Sequence, residues 1–193
     1  MRPSAVHHIS VPREGETVNG DRVVIRTSDA ATMLCVVDAL GHGPHAAVAA
    51  DTAANALEAC DPSRGVEAIV AETHAALRGR RGACLLACVV SADLIEGASV
   101  GNVELRASGV DVPFVLTPGV VGARITRLRV FRARLGAPLR LVAFSDGISA
   151  KFQMSEYADF SPEAACRAIF DRGRRPHDDA TVLVADFGAG NQP

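Results

Sequence analysis

The chain has 193 residues, of which 48% are hydrophobic and 22% charged, and its formal net charge is -2. This composition is typical of a soluble globular protein with one well-buried core. It excludes the basic footprint of a nucleic-acid partner, and the sequence lacks an apolar run long enough for a membrane span or a signal peptide. We therefore expect a cytoplasmic, single-domain protein over residues 1–193, without a sensor or linker region.

Strand-forming residues open the chain. Residues 6–11 predict a first strand, and the β-branched run over 22–27 and the apolar run over 33–37 predict two more. Because only a short turn separates the second run from the third, we predict an antiparallel hairpin. This hairpin would place Asp21, at the start of one strand, beside Asp38, at the end of the next.

Helices and further strands follow in chain order. Pro44 precedes an alanine-rich segment, and Ser161 before Pro162 is typical of a helix start. The predicted elements are a helix over 44–60, a helix over 66–77, strands over 83–91, 99–106 and 139–144, a helix over 161–170, and a strand over 182–185. The strand-rich second half argues against an alternating receiver domain with Asp38 as its phosphoacceptor.

Aspartates stand repeatedly at the boundaries of the apolar strands. They are Asp21, Asp38, Asp146 and the pair Asp178 and Asp179. Hard cations such as Mg2+ and Mn2+ take oxygen ligands, and two such ions can lower the pKa of a water molecule and direct it at phosphorus. Any one of these aspartates could instead simply form a turn.

The five cysteines form no paired framework. Cys35, Cys84 and Cys88 lie in apolar stretches, where a reduced cysteine behaves as a small core residue. A metal site at Cys84 and Cys88 would need further ligands at matching spacing, so we interpret both as packing residues.

Five segments, taken in order, resemble the motifs of the metal-dependent type 2C serine/threonine phosphatases, most closely the bacterial SpoIIE-like branch and its stand-alone RsbX-like members. The segments are Asn19-Gly20-Asp21, Asp38-Ala39-Leu40-Gly41-His42-Gly43, Val100-Gly101-Asn102-Val103-Glu104, Phe144-Ser145-Asp146-Gly147-Ile148 and 177–184. The resemblance spans nearly the whole chain and implies a single phosphatase domain. It also implies an α+β fold, a four-layer α-β-β-α sandwich of two antiparallel sheets flanked by helices, with the metal site at one end.

The resemblance also implies roles for individual residues. Asp38 would bridge two Mn2+ or Mg2+ ions, Asp146 and Asp178 would together ligate one of them, and Asp21 would hold a water bound to a metal. Asp38, Asp146 and Asp178 are therefore the expected catalytic residues. Ala39 would donate its backbone carbonyl as a further metal ligand, at a position where glycine is usual. If that position required a positive φ angle, alanine would be strained there.

The implied activity is hydrolysis of phosphoserine or phosphothreonine on a signalling protein. RsbX-like phosphatases act on phosphorylated STAS-domain proteins of stress-signalling complexes, so the expected partner is a STAS-domain protein of a stressosome or anti-sigma pathway. The alternative is a catalytically weak module that keeps the phosphatase fold in order to bind and regulate a partner.

Histidine and arginine residues add candidates without fixed roles. His42 could orient its glycine turn or contact substrate. The arginines of segment 124–134 could steer a phosphoprotein or line a solvated strand face, and Arg172, Arg174 and Arg175 are better docking candidates because they precede Asp178. His177 is a candidate for contact with the metal ligands.

Overall fold

The computed structural model describes residues 1–135 and 138–188, which form a mixed α+β fold. The expected α+β class is confirmed. Its strands are β1 (Ala5–Val11), β2 (Asp21–Thr27), β3 (Thr32–Ala39), β4 (Ala83–Val90), β5 (Leu94–Val100), β6 (Glu104–Ser108), β7 (Leu116–Thr117), β8 (Gly119–Val120), β9 (Arg124–Ile125), β10 (Phe131–Arg134), β11 (Leu139–Phe144) and β12 (Ala180–Phe187). Its helices are α1 (Pro44–Ala59), α2 (Val66–Ala76) and α3 (Pro162–Gly173), with short 3-10 turns over Pro62–Arg64 and Met154–Tyr157.

The described strands form two main antiparallel sheets. The smaller sheet has the order β1-β12-β11-β6. The larger sheet has the order β10-β5-β4-β3-β2, and β7 pairs with β5 in parallel at its side. A separate β8-β9 ribbon pairs with the start of β4 through a bridge between Ala83 and Val121.

Three apolar clusters connect these sheets to each other and to the helices. The first joins the larger sheet to α1 and α2 and includes Val37 and Leu57. The second contains residues of both sheets, including Val36 and Leu141. The third joins the smaller sheet to α3. Since successive strand residues point to opposite faces, adjacent Val36 and Val37 contribute to different clusters, which explains why β3 is apolar throughout.

Several local predictions are confirmed. The β2-β3 hairpin is present, α1 begins at Pro44, and Ser161 caps α3 by accepting a hydrogen bond from the Ala164 amide at 3.2 Å. All five cysteines are free and buried. Burial raises the pKa of the Cys88 thiol to about 12, so the thiol stays protonated at neutral pH.

Other element bounds differ from the sequence prediction. The single strand region predicted over 99–106 is two strands in different sheets, because the chain turns at Gly101, whose φ is +93°. Between residues 109 and 130 the chain forms only strands of two residues, and α3 continues to Gly173 rather than ending at residue 170. No helix among the described residues has both the length and the apolar character needed to cross a bilayer.

Candidate metal centre

The β2-β3 hairpin brings the first two aspartates together. Asp21 and Asp38 are direct partners in its register, and the Ala39 amide donates to the Gly20 carbonyl at 3.0 Å. Asp21 is 1% exposed, whereas Asp38 is half-buried. The strand ends therefore place two carboxylates next to each other, one of them sealed from solvent.

Asp21 has an incompletely satisfied carboxylate. Its Oδ2 accepts a hydrogen bond from the Ser145 hydroxyl at 2.7 Å, but its buried Oδ1 has no hydrogen-bond partner within residues 1–135 and 138–188. Burial raises the pKa of Asp21 above its ordinary value, the Ser145 and Thr181 hydroxyls only partly oppose that rise, and the charges of Asp179 and Asp146 add to it. The described part of the site thus contains a buried carboxylate oxygen without a hydrogen bond.

Asp38 is affected by the charges of the other strand-end aspartates. Burial is the largest cause that raises the pKa of Asp38, and the negative charges of Asp21, Asp146, Asp178 and Asp179 raise it further. Because Coulomb repulsion weakens with distance, these four carboxylates lie near enough to Asp38 to disfavour its charged form.

Asp146 follows β11 and lies between two polar neighbours. Its Oδ2 accepts a hydrogen bond from the Asn102 side-chain amide at 2.6 Å. Burial raises the pKa of Asp146, the adjacent Asp178 carboxylate adds to the rise, and the positive charge of Arg175 opposes it. Asp146 and Asp178 therefore face each other at the edge of the smaller sheet.

The two aspartates before β12 have different surroundings. Asp179 accepts hydrogen bonds from the Arg13 amide at Oδ1 and from the Gly20 amide at Oδ2, each at 2.8 Å. Asp178 is half-buried, and its Oδ1 accepts from the Asp179 amide at 3.0 Å. Asp179 therefore connects the loop before β2 to the segment before β12. Asp178 is the member of the pair that lies beside Asp146.

Ala39 adopts ordinary strand geometry. It is the last residue of β3, and no residue other than glycine in the described part of the chain has a positive φ angle. The strain that alanine would suffer in a left-handed conformation is therefore absent.

The remaining candidates lie around this region. The Nδ1 atom of the half-exposed His42 side chain contacts Oε1 of Glu16 at 3.0 Å, which holds the glycine turn against the 12–20 loop. Arg132 pairs with Glu67 and Glu96. The structure thus assigns an orienting contact to His42 and an ordinary surface ion pair to one arginine of segment 124–134.

The donor set fits a divalent cation, although no group of three or more acidic, histidine or cysteine side chains within residues 1–135 and 138–188 is close enough to form a ready-made metal centre. The fit rests on the orphaned Oδ1 of Asp21 and on the raised pKa values of Asp21, Asp38 and Asp146. These carboxylates repel one another, and a hard cation is the group that oxygen ligands of this kind bind.

Solved structures share this arrangement of strands and helices. A chain described with the bacterial stressosome, a modular system that has been adapted to control secondary messenger signaling, is 30% identical, with a TM-score of 0.86 over 93% of this chain and 97% of that chain. At that identity and coverage, the protein belongs to the same family as that chain. RsbX in complex with magnesium is 16% identical, with a TM-score of 0.79 over 97% of this chain and 98% of that chain. The catalytic domain of the serine/threonine phosphatase PstP in complex with two manganese ions is 17% identical, with a TM-score of 0.69 over 94% and 97% of the respective chains.

The protein has the PP2C-type phosphatase fold. A scan against protein-family models found no match, and no curated protein matched the sequence.

Two side chains at the acidic end of this PP2C-type fold, Ser145 and Asn102, had no role in the sequence prediction, and Arg175 was only a docking candidate there. Ser145 contacts Asp21 across 124 positions, Asn102 contacts Asp146 across 44, and Arg175 donates to the Asp146 carbonyl across 29. Ser145 and Asn102 stand inside motif segments, which was the available signal. Their specific contacts depend on how the two sheets meet, and local sequence does not encode that directly.

Proposed function

We propose that the protein is a metal-dependent phosphatase that hydrolyses phosphoserine or phosphothreonine on a signalling protein. One observation carries the proposal: aspartates from three other strand ends act on Asp38, and one of them, the buried Asp21, has a carboxylate oxygen without a hydrogen-bond partner among the described residues. Carboxylates in such a group need positive charge to remain ionised together, and phosphate ester hydrolysis uses the same charge. The PP2C-type fold supports this chemistry over a purely structural role for the aspartates.

The proposed ligand set is the one implied by the sequence motifs. Asp38 would bridge two Mn2+ or Mg2+ ions, Asp146 and Asp178 would bind one, and the Ala39 carbonyl would complete the coordination. Asp21, hydrogen-bonded by Ser145, would orient a water ligand. Bound ions would supply Lewis-acid activation of water and neutralise charge on the phosphoryl group.

The chain's own residues would orient the reaction. Water would add to phosphorus as the bond from phosphorus to the serine or threonine oxygen breaks, and inorganic phosphate and the free hydroxyl side chain would be released. Asn102 would hold the Asp146 carboxylate in one orientation through its 2.6 Å hydrogen bond. Asp179 would keep the turns of both sheets in register through its two backbone hydrogen bonds.

The proposed partner is a phosphorylated STAS-domain protein of a stressosome or anti-sigma pathway. The similarity to a stressosome-associated chain over nearly its whole length supports this choice, as does the fold shared with RsbX. Within the PP2C-type group, we place the protein in the SpoIIE-like branch, nearest to RsbX-like members, and we keep the expectation of a cytoplasmic location.

The proposal includes one phosphatase domain built as a four-layer sandwich. Support comes from the three apolar clusters, which follow the order α1 and α2, larger sheet, smaller sheet, α3. The metal site would lie at the end where β3 and β11 terminate.

The test is phosphate release from phosphorylated STAS-domain proteins with Mn2+, with Mg2+ and with a chelator. Wild-type protein should release phosphate only with metal, and Asp38→Asn or Asp146→Asn should reduce release to background while circular dichroism stays unchanged. Asp93→Asn, in the exposed β4-β5 turn, is the matched control and should keep full activity. Full activity in either ligand variant would refute the ligand set. Tight binding of the phosphoprotein without hydrolysis by the wild type would instead support the regulatory binding module.

A further inference from the structure

Three arginines at the end of α3 and in the loop after it have different contacts. Arg172 lies 3.6 Å from Glu156 and approaches the Tyr157 hydroxyl. Arg174 donates to the Pro12 carbonyl at 3.2 Å and covers the Phe170 ring. Arg175 instead directs its Nη1 to the Asp146 carbonyl at 2.8 Å. Of the three, only Arg175 reaches the acidic end of the sheets.

The backbone of Arg175 is fastened to both neighbouring acidic turns. Its amide donates to the Gly147 carbonyl at 2.8 Å, and its carbonyl accepts from the Asp178 amide at 3.2 Å. The backbone from which the guanidinium extends is thus attached to the same turns that carry Asp146 and Asp178, and among the described residues the guanidinium itself hydrogen-bonds only to the Asp146 carbonyl. A side chain held in this way loses less conformational entropy when it binds a ligand.

The guanidinium of Arg175 also has unused binding capacity. Within the described residues it forms no ion pair, and no other arginine hydrogen-bonds to the Asp146 turn. One of its five N–H groups is directed to a carbonyl, and the residue is exposed. Its charge nevertheless acts on the cluster, because it lowers the pKa of Asp146 against the effect of burial.

A phosphoryl group approaching this end of the molecule meets several carboxylates. Anionic oxygens are repelled by them, so a fixed cation from the protein is useful beside the metals. A planar guanidinium matches two phosphoryl oxygens with parallel N–H groups, and a lysine ammonium does not provide this geometry.

We infer that Arg175 binds the phosphoryl oxygens of the substrate, and of the inorganic phosphate product, at the acidic end of the two sheets. This inference rests on the proposed phosphatase function, and it assigns to one residue the recognition of the phosphate group.

The test titrates inorganic phosphate into Mn2+-saturated protein by calorimetry, so that no turnover is required. Arg175→Ala should weaken phosphate binding by about tenfold or more, as expected for loss of hydrogen bonds to a charged group. Arg174→Ala is the matched control, because the guanidinium of Arg174 donates to the Pro12 carbonyl instead of the Asp146 turn. This variant should bind phosphate with the affinity of the wild type. Mn2+ affinity should be unchanged in both variants.

Arg175→Ala also removes the hydrogen bond to the Asp146 carbonyl, so a second variant, Arg175→Lys, tests whether loss of that bond explains a weaker affinity for phosphate. It keeps a donor and a positive charge, so it should fold like the wild type by thermal unfolding yet still bind phosphate more weakly. Phosphate affinity within twofold of wild type in both Arg175 variants, or an equal loss in Arg174→Ala, would overturn the inference. An absence of phosphate binding by Mn2+-loaded wild type would overturn it as well.

Activity assays separate this inference from the proposed function. Hydrolysis by the wild type together with unaltered phosphate binding in Arg175→Ala refutes the role of Arg175 and leaves the phosphatase proposal standing. Arginine-dependent phosphate binding without hydrolysis supports the phosphate site and refutes the catalytic proposal.

Discussion

Asp21 is the residue whose surroundings say most about the site. It is buried beside Asp38, one of its carboxylate oxygens accepts a hydrogen bond from Ser145, and the other has no hydrogen-bond partner in the part of the chain that the structure describes. A buried polar atom without a hydrogen-bond partner lowers the free energy of unfolding by about 1–3 kcal/mol. A bound cation would remove that penalty. The acidic cluster is therefore expected to destabilise the metal-free protein.

That expectation predicts a pH dependence of stability. The pKa values of Asp21, Asp38 and Asp146 are raised above the ordinary value of about 3.9. Between that value and the raised values the folded state holds more protons than the unfolded state, so the free energy of unfolding falls as pH rises. Urea denaturation of chelated protein should show lower stability at pH 8 than at pH 5.

Asp38→Asn should flatten this pH dependence and stabilise the chelated protein at pH 8, because it removes one of the mutually repelling carboxylates. Asp93→Asn, in an exposed turn, should leave the curve unchanged. Equal or higher stability of the chelated wild type at pH 8 would contradict the repulsion argument.

Ala39 provides a second prediction at the residue scale. Because β3 is extended there and Ala39 has no positive φ angle, restoring the glycine that is usual in the resembling family relieves no strain. Ala39→Gly should lower the free energy of unfolding by about 1 kcal/mol and leave Mn2+ affinity unchanged. Ala87→Gly, at a buried alanine of β4 paired with Cys35, should cost a similar amount. Tighter Mn2+ binding by Ala39→Gly would show that alanine impairs the site.

At the scale of elements, the turn between β5 and β6 positions Asn102 against Asp146. Gly101 has a φ of +93°, and a Cβ there would lie 2.4 Å from the Cys84 sulfur. Gly79 also has a positive φ, +72°, but nothing lies within 4 Å of an added Cβ. An alanine substitution at either position strains the backbone, but only the one at Gly101 also crowds a neighbouring side chain.

Gly101→Ala should destabilise the protein by about 1–3 kcal/mol more than Gly79→Ala, because only the first overpacks the core. It should also weaken Mn2+ binding, since Asn102 moves with the turn, whereas Gly79→Ala should not. Urea denaturation and calorimetric titration provide both comparisons. Equal effects of the two substitutions would mean that this turn does not support the site.

Local sequence predicted most of the helices and strands, but it failed where contacts between residues distant in the sequence determine the course of the chain. Hydrophobic runs and turn residues were sufficient for the β2-β3 hairpin and for the starts of α1 and α3. They were insufficient near Gly101, where the chain leaves one sheet for the other and the Gly101 amide bonds to Thr117. The motif order identified the aspartates, but the contacts of Ser145, Asn102 and Arg175 required the tertiary structure.

At the scale of the whole molecule, the candidate site lies where the two sheets meet. Asp21 and Asp38 belong to the larger sheet, and Asp146 and Asp178 flank strands of the smaller one. The hydrogen bond from Ser145 to Asp21 connects the two sets, and the shared apolar cluster holds the sheets together. A site divided in this way forms only when both sheets are packed, so metal binding should depend on the complete fold.

Metal titration tests this account most directly. Calorimetric titration of Mn2+ into metal-free wild-type protein, Asp38→Asn and the Asp93→Asn control measures binding without assuming a substrate. The account predicts binding by the wild type and the control, and a loss of at least about tenfold in affinity for Asp38→Asn, since even partners outside the ligand shell contribute that much. No binding by the wild type, or equal binding by Asp38→Asn, would contradict a metal centre built on Asp38.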